Sequence, residues 1–207
     1  MTAAPMTTPT RGRGARDRVL AAALRLFYQQ GINATGVDQL AKAAQVSKRS
    51  LYQHFDGKDG VVREYLRLME EGLNHMLEVL QRADLSPRER LLGLFDGLTA
   101  SELRIGASPV VRGCPFVNAA VEAADPHAEA HELSRRQKLA FVQRVADAAR
   151  DAGVRDPVAL GQQLVLLYDG ASAHAVIMNS VEAALTARDI AAVLIDRHFA
   201  EIAAEQP

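Results

Sequence analysis

With 207 residues, 48% of them hydrophobic, the chain holds enough apolar material for one large core or two smaller ones and is not a disordered polymer. Its 24 Lys and Arg against 25 Asp and Glu exclude a uniform field of one sign over the whole molecule. The lone cysteine, Cys114, excludes an internal disulfide, no apolar run reaches the roughly 20 residues that span a bilayer, and the N-terminus lacks the order of a secretory signal, so a soluble cytoplasmic chain is expected.

Residues 1–14, with Thr, Pro, Gly and Arg and no periodicity, read as a flexible basic arm that either touches phosphates or only solubilises the terminus. Residues 15–30 form the first predicted helix. Val19, Leu20, Ala23, Leu24 and Phe27 recur at three- and four-residue spacing, and Gly31 is placed to close the helix with a left-handed cap. Thr35 opens a second helix in capping-box spacing with Asp38, and Val37, Leu40 and Ala41 supply its inner face. Ala43, Ala44, Gln45 and Val46 make a turn. Ser47 caps a third helix, which carries Lys48, Arg49, Ser50, Tyr52, Gln53 and His54 outside and Leu51 and Phe55 inside. Two short helices, a tight turn and a polar outer face are the pattern of a helix-turn-helix. Residues 1–66 carry ten basic and five acidic side chains, a net +5, which leaves −6 for the rest of a chain of net charge −1. A basic front on an acidic body suits a polyanion at the front.

Asp56 to Gly60 is a turn signal. A long helix follows from about Lys58 to Arg82, with Val62, Leu66, Met69, Leu73, Met76 and Leu80 in register. Ser86-Pro87-Arg88-Glu89 is a capping box with proline at the first helical position, opening a helix to about Glu102. Residues 104–115 read as a loop, and a short helix covers roughly 116–124. Asp125-Pro126 starts a long helix ending before Gly153, Asp156-Pro157 starts one reaching about Val181, and Thr186 with Asp189 opens the last, to about Ala204. The reading is all-α, about nine helices, divided into an arm (1–14), a DNA-binding domain (15–60) and a C-terminal regulatory and dimerisation domain (61–207).

Gly31-x-x-x-Thr35-x-Val37-x-x-Leu40-Ala41-x-x-Ala44-x-Val46-Ser47-x-x-x-Leu51-Tyr52-x-His54-Phe55-x-x-Lys58 resembles the N-terminal signature of the TetR family of bacterial transcriptional regulators. The resemblance covers about 45 residues, close to a fifth of the chain. It departs at Gln45, where the family usually has glycine, and trivially at Leu40 for the more usual isoleucine. It implies phosphate contacts at Thr35, Tyr52, His54 and Lys58 and sequence reading among residues 47–53. The residues themselves fit that work. Lys48 or Arg49 can donate to guanine O6 and N7, Ser50 can bond a base edge or a phosphate, and Gln53 can read adenine or face water. Tyr52 and His54 can equally pack between helices.

One reader covers too few base pairs to be selective, so two readers on a two-fold axis and a palindromic operator on double-stranded DNA are expected. The last two helices are the candidate homodimer faces: Leu160, Gly161, Leu164, Leu167, Gly170, Ala171 and Ala175 on one, Ile190, Val193, Leu194 and Ile202 on the other. They can equally fill the chain's own core. The resemblance also implies a cavity for a small-molecule inducer among helices five to eight, with candidates Phe95, Arg104, Phe116, Asn118, Phe141, Tyr168, Asp169, His174 and Met178. The run Arg112 to Glu122 resembles a segment of one subset in which a cysteine senses oxidants or electrophiles, so Cys114 is either a thiol-based sensor or a small buried hydrophobe. An activator or organiser with no small-molecule ligand is a further reading. No Gly-rich phosphate loop and no Gly-x-Ser-x-Gly is present, His174 has no second ligand at i+3 or i+4, and neither enzyme, metal nor cofactor is expected.

Overall fold

The computed structural model describes residues 14–98 and 111–204. Among them there is helix and no strand: α1 (Ala15–Gln30), α2 (Val37–Ala44), α3 (Lys48–His54), α4 (Gly57–Met76) with a 3₁₀ turn at Leu77–Gln81, α5 (Pro87–Asp96), α6 (Pro115–Glu122), α7 (Glu129–Asp151), α8 (Pro157–Met178) and α9 (Glu182–Ala204). The all-α expectation holds. The expected N-terminal arm, all but Gly14, and Arg104 lie outside the described residues, as does most of the expected loop at 104–115. None of the described helices is long and apolar enough to cross a membrane.

The chain packs as two compact units, one of residues 1–69 with 104–135, the other of 70–103 with 136–207. This partition differs from a single boundary near residue 60, because the stretch around α6 is bonded to the N-terminal helices. In the first unit α1 packs on α2 and α3. Val19 and Ala23 are wholly buried, and Leu26 and Tyr28 join them while Leu24 stays half-exposed, so the buried stripe is wider than the predicted one. Phe27 meets the buried ring of Tyr65 edge-on, with centroids 5.4 Å apart.

In the second unit α9 packs against α8 and α5. Phe141 meets Tyr168 edge-on at 5.3 Å, Phe95 lies 6.2 Å from Tyr168, and the Tyr168 hydroxyl donates to Met76 Sδ at 3.4 Å. Ser86 caps α5 with the reciprocal bonds of a capping box to Glu89. Asp156 caps α8 through the Ala159 N–H. Two other starts move. Asp125 spends its carboxylate on the His127 N–H in a turn, so α7 opens at Glu129. Ser180, not Thr186, receives the first N–H of α9, from Glu182, and Thr186 lies inside the helix.

Gly161 fixes how closely α7 and α8 approach. A Cβ there would sit 3.0 Å from Val142 O and 3.1 Å from Ala146 Cβ, and neither backbone nor a methyl on the backbone can swing away. Gly161→Val should therefore lower stability by about 1–3 kcal/mol in urea denaturation, the usual cost of overpacking. A midpoint equal to or above that of the native chain would show that the helices part easily.

Candidate nucleic-acid interface

α3 is presented rather than buried. Leu51 is wholly buried and Phe55 nearly so, on a helix that packs against α1 and α2. Ser47 accepts the Ser50 N–H at 3.0 Å, which caps the helix as its sequence demands. The opposite side then stands in solvent. Ser47, Lys48, Arg49, Tyr52, Gln53 and His54 are exposed and Ser50 is half-buried, so seven of the nine expected contacts lie outside the buried stripe of Leu51 and Phe55. The Tyr52 ring also rests against the α3–α4 turn, where a Cβ on Gly57 would lie 3.7 Å from it. Lys48 is ion-paired to Asp38 of α2, both largely exposed, so the pair adds little stability and leaves the ammonium exchangeable.

The turn before α3 carries the departure at Gln45. Its φ of 54° and ψ of 47° are left-handed, the conformation in which glycine is free and glutamine is strained. The Gln45 N–H bonds the Lys42 carbonyl and the Val46 N–H bonds that of Ala41, so the chain closes the turn in spite of the side chain. Arg18 Nε donates to the adjacent Ala44 carbonyl at 3.0 Å and ties α1 to this corner.

Two expected site residues stand elsewhere. Thr35 does not cap α2. The N-cap is Gly36 with no side-chain cap bond, and the Thr35 hydroxyl is wholly buried and donates to the Gly31 carbonyl at 2.7 Å. Its side chain thus holds the α1–α2 turn and is not displayed to a phosphate. Gly31 is not a left-handed cap either. Its φ of 101° and ψ of 159° are a region glycine alone enters without strain. Lys58 is half-buried and lines a cleft of ≈ 370 Å³ with Asn33, Val62, Arg63, Glu122 and Glu129.

Bonds that no sequence spacing announced hold this face in place. Arg16 of α1 pairs with Glu64 of α4 and lies over the Phe55 ring. Burial pushes the Glu64 carboxyl up, but Arg16 and Arg67 outweigh it and hold it below the usual range. Arg63 forms a two-pronged pair with Glu129, at 2.5 and 2.8 Å. Arg112 donates its N–H to the Tyr28 hydroxyl and its Nε–H to the Tyr28 carbonyl. Glu122 accepts the Asn33 N–H at 2.6 Å, and its carbonyl takes the Asn33 side-chain amide at 2.7 Å.

The expected ligand residues divide between the units. In the first, Cys114 is half-buried at the N-cap of α6, Phe116 is buried and Asn118 donates to the Arg112 carbonyl at 2.8 Å. In the second, Phe141 and Tyr168 pack together, Asp169 pairs with Lys138, and His174 is exposed on α8. Asn118 and Asp169 therefore have partners within the protein. Among the described residues no group of three or more His, Cys, Asp or Glu is placed to hold a metal ion.

Comparison with known proteins agrees with this geometry. The family described as bacterial regulatory proteins, tetR family, matches residues 19–65. The chain is similar to a TetR-type transcriptional regulator from Streptomyces avermitilis, at 33% identity over 86% of this chain and 98% of that one, with a TM-score of 0.70. It is similar also to a TetR-family regulator from Streptomyces coelicolor, at 28% identity, TM-score 0.81, over 89% and 95% of the two chains. The transcriptional repressor KstR2 of Mycolicibacterium smegmatis is 35% identical over 42% of this chain and 43% of its own. The chain spans about half the length of the curated relatives it matches. These relatives are transcriptional regulators.

The buried Thr35 hydroxyl gives a direct test. Thr35→Val should cost about 1–2 kcal/mol in denaturant unfolding, by orphaning an acceptor, while Thr35→Ser stays near the native value. The salt dependence of DNA binding should be the same for all three proteins. A shallower salt slope for the valine variant would return Thr35 to phosphate contact.

Proposed function

The chain belongs to the TetR family of bacterial transcriptional regulators, and from that membership we propose a cytoplasmic repressor that binds a palindromic operator as a homodimer and is released by a small-molecule inducer. The observation that carries the DNA reading is the outward side of α3. Its polar and basic groups stand together in solvent on a helix whose other side is core. A helix of that diameter fits the major groove of B-DNA, where base edges carry a distinguishing pattern of donors and acceptors. Arg49, exposed at the first turn of α3, is the residue assigned to a guanine, with Ser47, Lys48, Ser50 and Gln53 as the other candidates for base contact. Tyr52, His54 and Lys58 are assigned to the sugar–phosphate walls, which position the reader without naming a sequence.

Dimerisation has separate support in the second unit. α8 and α9 are apolar on more sides than one chain buries. Leu160, Leu164 and Ala175 go inward, while Leu166 and Ile177 are 76% and 77% exposed and Val193 of α9 is 70% exposed. Between the two helices runs a groove of ≈ 560 Å³ lined by Leu166, Gly170, His174, Ala187, Ile190 and Leu194 among others. A Cβ on Gly170 would meet nothing within 4 Å, so the helix has room there for a close neighbour. A second copy, offering the same two helices about a two-fold axis, covers such a surface self-consistently and places two readers for a palindrome. The inducer reading rests on the family alone; in the second unit its candidates are Phe141, Tyr168, Asp169 and His174, and in the first Cys114, Phe116 and Asn118.

Two measurements test these assignments. Arg49→Ala should cost about 1–3 kcal/mol on an operator carrying the matching guanine and far less on random DNA, whereas Lys58→Ala should weaken both alike and flatten the salt slope by roughly one unit. Equal losses for Arg49→Ala on both DNAs would remove its reading role. Leu166→Glu should turn a dimer into a folded monomer in light scattering at micromolar concentration, because a carboxylate in an apolar contact must be desolvated. A native chain that is itself monomeric there would defeat the dimer.

A further inference from the structure

Every residue assigned to DNA lies on or beside α2 to α4, yet one carboxylate of α6 reaches into the start of that region. Glu122 ends α6 and accepts the Asn33 N–H at 2.6 Å through Oε2. Its own carbonyl accepts the Asn33 side-chain amide at 2.7 Å. The carboxylate also lies over Gly31, where a Cβ would stand 3.0 Å from Oε1 and 3.1 Å from Oε2. Gly31 thus serves twice, once for its φ of 101° and once for the space it leaves to Glu122. The contacted residues, 31 and 33, lie in the α1–α2 turn, and three residues after Asn33 the chain reaches Gly36, the N-cap of α2.

We infer that Glu122 is a positioning residue for the DNA reader: its bond to the Asn33 N–H sets the angle at which α2 leaves the turn, and through α2 the seating of α3 in the groove. The chain between the bond and α2 is too short to absorb a shift. Thr35 fixes it further by its bond to Gly31, so a displacement at Asn33 passes to α2 with little loss. Contacts to base edges require placement within a few tenths of an ångström, whereas attraction to phosphates is long-ranged and tolerates a misplaced helix. A positioning role therefore has its own signature, in which selectivity falls and bulk affinity does not. The bond needs an acceptor at full glutamate length, not a negative charge as such.

This inference rests on α3 being a DNA reader, and the test separates the two. With the full-length native protein, a preferred duplex is first selected from a randomised pool. Binding to that duplex and to a random duplex of equal length is then followed by fluorescence anisotropy across a salt series, alongside thermal unfolding. Glu122→Ala should lose about ten-fold on the preferred duplex, stay within about two-fold on random DNA and keep the native salt slope. Glu122→Asp, which retains the charge but withdraws it by one methylene, should behave like the alanine variant. Glu122→Gln, whose amide oxygen still reaches the Asn33 N–H, should keep the native preference. Parallel weakening on both duplexes, native selectivity in the alanine variant, or a glutamine variant as poor as alanine each overturns the inference. If the native protein selects no preferred duplex, the reader assignment itself has failed.

Discussion

A helix of seven residues cannot hold itself together. Nucleation costs too much, and so short a segment closes too few hydrogen bonds, for α3 to persist alone in water. It exists because Leu51 and Phe55 are buried and Ser47 satisfies a free N–H at its start. Everything attributed to the reader follows from that dependence. The outward side chains are aligned because the inward ones are fixed. The position of α3 is then a property of α1, α2 and α4 as much as of its own sequence, and so the bonds around it matter: Arg18 to Ala44, Arg16 to Glu64, Thr35 to Gly31.

How much of this could be read from residues alone depended on how far each contact spans. The start of α3 was legible, since Ser47 and Ser50 are three residues apart and the bond between them is local. So was the capping box of α5. Thr35 and Asp38 offered the same spacing, and there tertiary packing won. Burial of Thr35 under Gly31 removed its hydroxyl from the helix start, and the role passed to Gly36. Asp125-Pro126 misled for a similar reason, because the carboxylate closed a turn instead of capping a helix. Gln45 was the one place where local preference and the family pattern disagreed, and the backbone kept the left-handed turn at the side chain's expense. Glu122 and Arg112 left no local sign, since their partners lie more than 80 residues away.

The last two helices show a different limit. A helix with leucine, valine and alanine on every side has no stripe for periodicity to find. Sequence therefore offered Leu160, Leu164 and Ala175 equally as core or as interface, and packing resolved them as core. Leu166 and Ile177, which no periodicity marks, are left outside together with Val193, which the sequence does offer as an interface residue. The division comes from which side α9 and α5 occupy, and that is information about contacts rather than composition.

The unit that carries the reader is made of two stretches far apart in the chain, residues 1–69 and 104–135. Its order of synthesis follows. At about 5–20 residues per second, the four helices bearing the family signature leave the ribosome seconds before the segment with Arg112 and Glu122. During that interval Tyr28 lacks its guanidinium partner and the α1–α2 turn lacks its carboxylate. A message cut short after α5 would still encode all of the signature, yet its product would be a reader with one wall missing.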